Sequence, residues 1–162
     1  MLQLIPKMSA ETHQIEPVYY TRKFKHVVDG KRRVQVPADW RNKGETRFAL
    51  IFWPGASPQE SCLLGLPPSE WQKLVTKLEQ LSFASDPRAD SLRRLIGANS
   101  DHVTVDSAGR ISLDESLAAS AGLEKEALFV GMVHRFQIWN PERYAVVSTR
   151  DAALTQDAFG LI

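Results

Sequence analysis

The sequence predicts a mixed α+β fold of two pseudo-symmetric β-rich halves, with linking helices between them and a helix at the C-terminal end. Three observations predict it. First, the stretch Val28-Asp29-Gly30-Lys31-Arg32-Arg33-Val34-Gln35-Val36-Pro37 returns as Val105-Asp106-Ser107-Ala108-Gly109-Arg110-Ile111-Ser112-Leu113-Asp114, an offset of 77 residues (106 − 29). Each copy has an apolar residue, then Asp-x-x-x-Arg, then alternating apolar positions, which reads as a hairpin turn feeding a strand. Second, β-branched and aromatic runs flank both copies. Third, the segment between them carries apolar residues at helical spacing. Two spaced copies read as a duplicated unit.

The elements follow in order. Residues 1–17 lack a clear period and read as a loose arm. Val18 to Val28 is rich in strand-forming residues. Asp29-Gly30 supplies a turn, and a second strand runs from Arg33 to Val36. Pro37 stops it, because proline cannot donate to a ladder, and opens a short helix through Ala38, Trp40 and Arg41. Phe48 to Trp53 is a buried strand and Cys62 to Leu66 another. Ser69 with Gln72 has the spacing of a capping box, followed by a stripe of Trp71, Leu74, Val75, Leu78 and Leu81. Asp86-Pro87 opens a second helix by cap and proline, with Gly97 at its end. The strand pattern resumes at His102–Val105 and Arg110–Leu113. Asp114 caps a short helix stopped by Gly122. Strands at 127–131 and 136–139 and a helix opened by Asn140-Pro141 complete the chain. The implied division is a first half over 20–66, a helical connector over 67–98 and a second half over 99–145.

At 162 residues the chain has room for one domain or two small halves sharing a core. Cys62 is the only cysteine and sits in an apolar run, as a core thiol would. A single cysteine rules out an intrachain disulfide and suits a reducing compartment. No apolar run approaches the roughly 20 residues of a membrane span. The expectation is a cytoplasmic protein. His13, His26, His102 and His134 lack metal-ligand spacing, and no phosphate-binding glycine loop or nucleophile elbow is present. Neither an enzyme, a metal site nor a cofactor is expected. Trp53 and Trp139 are read as apolar residues left exposed for contact between subunits.

The net charge of +1 conceals an asymmetry. Arg22, Lys23, Lys25, Lys31, Arg32 and Arg33 stand against Asp29 alone in residues 22–33, a local charge of +5. Such a patch is the footprint of a polyanion partner. The bland alternative is a solvated cationic strand face. Arg33 and Arg110 are planar forks suited to a phosphate or a guanine edge, and Lys31 is a point charge suited to phosphate. In the competing reading each arginine pairs with its own Asp29 or Asp106 and closes the turn. The aspartates are structural under both readings, accepting backbone N–H groups. Arg32, Arg22 and Lys25 are supporting phosphate contacts or solvated charges.

The two Asp-x-x-x-Arg copies and Pro37-Ala38-x-Trp40-Arg41 resemble the MraZ family, which carries two SpoVT/AbrB-type halves in one chain. Further matches are Arg94-Leu95-x-Gly97, Ala121-Gly122-Leu123-Glu124-Lys125 and Val130-Gly131 with Arg135-Phe136-Gln137-Ile138-Trp139, so the likeness covers roughly residues 20–145. The resemblance implies AbrB-like halves of the swapped-hairpin, double-psi-like barrel kind. It implies a transcriptional repressor that binds double-stranded DNA on the nucleoid, at short G-rich tandem repeats of the division and cell-wall gene cluster. It also implies a ring-shaped homo-oligomer. It assigns Arg33 to DNA. The alternative is an oligomeric scaffold that grips an acidic partner or RNA without reading DNA.

The chain departs from the family pattern in the first turn, where Lys31-Arg32-Arg33 replaces the usual Lys-Gly-Arg. Either Arg32 is strained there or Gly30 takes the positive-φ position. The second copy keeps Gly109 but has Ala108, Asp114 and Ala118 where the first has Lys31, Pro37 and Arg41. DNA contact is therefore expected to lean on the first half.

Overall fold

The computed structural model describes residues 18–41, 46–81 and 86–162. The arm read over residues 1–17 lies outside them. The fold is mixed α+β. In chain order it comprises β1 (Lys23–Val27), β2 (Arg33–Gln35), α1 (Ala38–Arg41), β3 (Arg47–Trp53), a 3₁₀ turn (Pro58–Glu60) and β4 (Cys62–Leu66). Then come α2 (Pro68–Glu79), α3 (Pro87–Ala98), β5 (Ser100–Thr104), β6 (Arg110–Ser112), α4 (Glu115–Ser120), β7 (Glu126–Gly131), β8 (Phe136–Trp139) and α5 (Pro141–Phe159).

Six strands form one antiparallel sheet in the order β1-β7-β8-β4-β3-β5, and β2 pairs with β6 in a separate two-stranded ribbon. The ladder interleaves strands from before and after the helical connector. A local hairpin was expected at Asp29-Gly30. Instead β1 runs against β7, and its link to β2 is the single bridge Val28–Val34. Among the described residues the large sheet keeps two edges, β1 and β5, so the expected closed barrel is not formed. The physical reason lies in β2 and β6. They pair with each other, and the ribbon meets edge strand β1 through the single Val28–Val34 bridge, so no continuous ladder joins the two edges.

Burial follows the pleat. Phe48, Leu50 and Leu63 point into the main core with Tyr20, Trp40, Phe129 and Phe136. Ala49, Ile51, Leu64 and Leu66 point to the opposite face, where Ile96 of α3 and Trp71, Leu74 and Leu78 of α2 cover them. Strands covered on both faces read as continuous apolar runs, as β3 and β4 do. Gly65 on β4 makes room for Phe136, whose ring fills the space a side chain would take. Trp40 carries α1 into this core and donates Nε1–H to Thr21 O at 3.2 Å.

Three helix starts match their sequence signals. Asp86 accepts from Arg88 N at 3.0 Å, Asp114 from Leu117 N at 3.0 Å, and Asn140 from Glu142 N at 2.8 Å. The capping box at Ser69 and Gln72 does not form. Pro67 is the N-cap and Pro68 the first helical residue, so Ser69 already lies inside α2. Gly97 likewise lies inside α3, which runs on to Ala98. Gly122, at φ +67°, does stop α4. Trp139 is buried at 4% exposure, contrary to expectation, whereas Trp53 is exposed at 40%.

Candidate nucleic-acid interface

Both Asp-x-x-x-Arg turns fold onto their aspartate. Asp29 Oδ1 accepts the N–H groups of Lys31 and Arg33, each at 2.9 Å, and Oδ2 accepts Arg33 Nε–H at 2.7 Å. Arg32 N–H donates to Asp29 O at 3.0 Å. The second turn repeats this bond for bond. Asp106 Oδ1 accepts from Ala108 N and Arg110 N at 2.9 Å, Oδ2 accepts Arg110 Nε–H at 3.1 Å, and Gly109 N–H donates to Asp106 O at 2.9 Å. The Arg33 N–H, helped by its Nε–H and by the Lys31 N–H, holds the Asp29 carboxyl down at about 2. The Arg110 N–H depresses Asp106 in the same direction.

Each aspartate thus accepts two backbone N–H groups of its own turn. Each arginine does pair with its own aspartate, the arrangement of the turn-closing alternative. The pair uses Nε alone and leaves both Nη groups of the fork outside it. Each arginine is oriented by its aspartate through Nε, and about a third of each side chain is exposed.

The ribbon joins the two turns. Its central pair is Val34–Ile111, flanked by Arg33–Ser112 and Gln35–Arg110. Val36 N donates to Gly109 O at 2.9 Å, and Leu113 N donates to Arg32 O at 2.8 Å. Side chains cross as well: Gln35 Nε2 reaches Ala108 O at 2.8 Å and Arg32 Nε reaches Leu113 O at 3.2 Å. Because β2 and β6 are antiparallel, the turns lie at opposite ends of the ribbon. Each is supported by backbone from the other side of the connector.

The remaining cations divide. Lys31 is exposed at the tip of the first turn. Arg32 takes the left-handed position at φ +57°, and Gly30 does not. Lys25 is exposed on β1, an edge strand of the large sheet. Arg22 sits just before β1 at φ +73°, with its guanidinium 5.1 Å from the Phe24 ring centroid and 3.5 Å from Asp39.

One residue was missed. Arg41, at the end of α1, lays its guanidinium across Gly109, where a Cβ would strike it. Its Nε is buried without a hydrogen-bond partner among the described residues. With Thr46, Val105, Asp106 and Ser107 it lines a shallow hollow of about 200 Å³ beside the second turn. The equivalent position in the second copy is Ala118, so the repeat alone gives the second turn no such charge. Burial and the Arg41 charge together lower the His26 pKa.

Elsewhere the chemistry is quiet. Burial pushes the Cys62 thiol up to about 12. Among the described residues no group of three His, Cys, Asp or Glu side chains could hold a metal ion. No helix among them is long and apolar enough to cross a membrane.

Fold and site thus define a small α+β protein that presents two arginine-bearing turns on one β-ribbon. A family model described as "MraZ protein, putative antitoxin-like" matches residues 96–158. The transcriptional regulator MraZ of Thermomicrobium roseum is 37% identical over 123 residues, spanning 76% of this chain and 82% of that protein. Its namesake in Nitrosospira multiformis is 37% identical over 117 residues, 72% and 78% of the two chains. That of Lachnoclostridium phytofermentans is 31% identical over 121 residues, 75% and 81%. The chain belongs to the MraZ family. This is a family of transcriptional regulators and not of enzymes, in line with the expectation from the motifs.

Proposed function

We propose that the protein is a sequence-specific transcriptional regulator, a repressor, that binds double-stranded DNA through its Asp-x-x-x-Arg turns. The observation that carries this reading is the pair of matched turns. Each orients an arginine fork through Nε, with about a third of the side chain exposed. A guanine edge or a phosphate suits that fork. Arg33, Lys31, Arg32 and Arg110 are the contact residues, with Arg22 and Lys25 supporting along β1.

Residues 20–66 and 99–145 are read as two pseudo-symmetric AbrB-like halves joined by a 67–98 connector. The bond-for-bond agreement of the turns at an offset of 77 residues supports this, as does the central Val34–Ile111 pair (111 − 34). The chain assembles as a ring, and the ring engages tandem G-rich repeats of the division and cell-wall gene cluster, on the nucleoid. Several identical turns on repeated DNA multiply weak contacts.

The test compares wild type with Arg33→Ala on a duplex from upstream of the protein's own gene and on a scrambled duplex, at two salt concentrations. A bidentate arginine–guanine contact contributes about 1–3 kcal/mol of discrimination. The variant is expected to lose preference for the native duplex and keep salt-dependent non-specific binding. Retained preference removes Arg33 as the reader. Duplex binding with neither salt dependence nor preference in wild type favours the scaffold alternative.

A further inference from the structure

α5 spans Pro141–Phe159, about 28 Å of helix at 1.5 Å per residue. Its first half is anchored to the body. Arg143 Nη1 reaches Ser61 Oγ at 2.9 Å, and Arg150 Nη2 reaches Glu60 Oε1 at 2.7 Å. Beyond Arg150 the side-chain hydrogen bond found among the described residues, Thr155 Oγ1 to Asp151 O, stays within the helix. Every residue from 151 to 162 is exposed, and Leu154, Phe159 and Leu161 stand at 51%, 69% and 87%. These apolar residues lie on more than one side of the tip. A helix end of that kind is normally covered. Asp151 and Asp157 make the tip acidic, with no Lys or Arg after Arg150.

The same chain carries a matching surface. A groove of about 630 Å³ runs between α2 and the sheet, with Trp53, Leu66 and Leu74 among its apolar lining and Lys73, Lys77 and Arg135 on its rim. Lys73 holds Glu70 at 2.9 Å, whereas Lys77 and Arg135 form no ion pair among the described residues.

We propose that the acidic, apolar tip of α5 docks in the basic-rimmed α2 groove of a second copy of the chain. The inference rests on the ring assembly proposed above and names its interface. Tip and groove are different surfaces, so the contact is head-to-tail. Such contacts close into rings where the rotation permits. Opposed charges at the rim fix partner and register, and the apolar tip displaces water from Trp53 and its neighbours.

The experiment uses full-length protein and light scattering after size exclusion. One variant carries Asp151→Lys with Asp157→Lys, and the other Lys77→Glu with Arg135→Glu. Wild type is expected at a multi-subunit mass. Each variant alone, its tip and groove now of like charge, is expected to fall to a lower mass. Mixed one to one they are expected to regain a multi-subunit mass, because each basic tip then meets an acidic groove and each acidic tip a basic one. Recovery on mixing also shows that both variants are folded. Wild-type mass in either variant alone, or a mixture that stays small, overturns the inference and leaves ring assembly standing. A monomeric wild type overturns both.

Discussion

Arg32 and Gly109 share the left-handed backbone, at φ +57° and +82°, 77 residues apart (109 − 32). Each gives its carbonyl to the far side of the ribbon, to Leu113 N and Val36 N. The turn needs this conformation so that the N–H groups two and four residues on converge on the aspartate. Glycine adopts it without strain, and arginine does not.

Arg32→Gly is therefore expected to relieve backbone strain of about 1–2 kcal/mol. It also loses the Arg32 Nε–Leu113 O bond, which contributes roughly 0.5–1.5 kcal/mol. The two effects nearly cancel. Arg32→Ala loses the bond and keeps the strain. Urea unfolding should find Arg32→Gly close to wild type and more stable than Arg32→Ala by about 1 kcal/mol. Equal stability of the two variants would show that the backbone relaxes freely at this position.

What was legible in the sequence was local. Asp86, Asp114 and Asn140 announce their helices because a cap needs only its own next three residues. Asp29 and Asp106 announce their turns for the same reason. Ser69 misled because Pro67-Pro68 had already set the helix start, and a serine one residue inside cannot cap it. The partner of β1 was not legible, since β7 lies some hundred residues away and any apolar strand satisfies the pleat. Arg41 was missed on the second turn for a related reason. Its motif was visible, but its contact crosses between the halves.

The aspartate turns make stability depend on acid. Asp29 has an ordinary value of 3.8 and sits at about 2 in the folded protein. A carboxyl depressed on folding stabilises the protein above its ordinary value, and that contribution fades as pH falls toward the folded one. Asp106 acts in the same direction. Melting temperature should therefore fall between about pH 4 and pH 2. Asp29→Asn should melt lower than wild type at neutral pH and show a flatter fall across that window. Parallel curves for the two proteins would remove Asp29 as a source of the acid sensitivity.

Gly109 tests how tightly the second turn is built. A Cβ there meets the Arg41 guanidinium and the Gln35 amide, and the backbone stands at φ +82°. Gly109→Ala is expected to cost about 1–3 kcal/mol in denaturant unfolding. Gly30 has open space around it and no positive φ. Gly30→Ala should change stability by less than about 0.5 kcal/mol. Similar costs at the two glycines would contradict the difference between their environments.

Beside the matched Arg33 and Arg110, the first turn adds Lys31 and Arg32, and the second has Arg41 lying against it. Lys31 stands exposed at the first tip. The second turn has Ala108 there, yet Arg41 reaches across from α1 and rests on Gly109. On DNA each phosphate contact adds about 0.9 to the slope of log affinity against log salt. Losing one contact should shrink the affinity change between 50 and 200 mM salt by roughly 3.5-fold. Lys31→Ala and Arg41→Gln are each expected to show that loss on native and scrambled duplexes alike, because a phosphate contact does not read sequence. Ser107→Ala and Lys125→Ala should leave the slope unchanged. Arg41→Lys separates charge from packing, since it keeps the cation on a slimmer stem and should restore most of the slope. If Arg41→Gln binds with the wild-type slope while Lys31→Ala loses it, DNA contact leans on the first turn alone. If Ser107→Ala and Lys125→Ala lose as much as Lys31→Ala, the charge asymmetry between the turns does not govern binding.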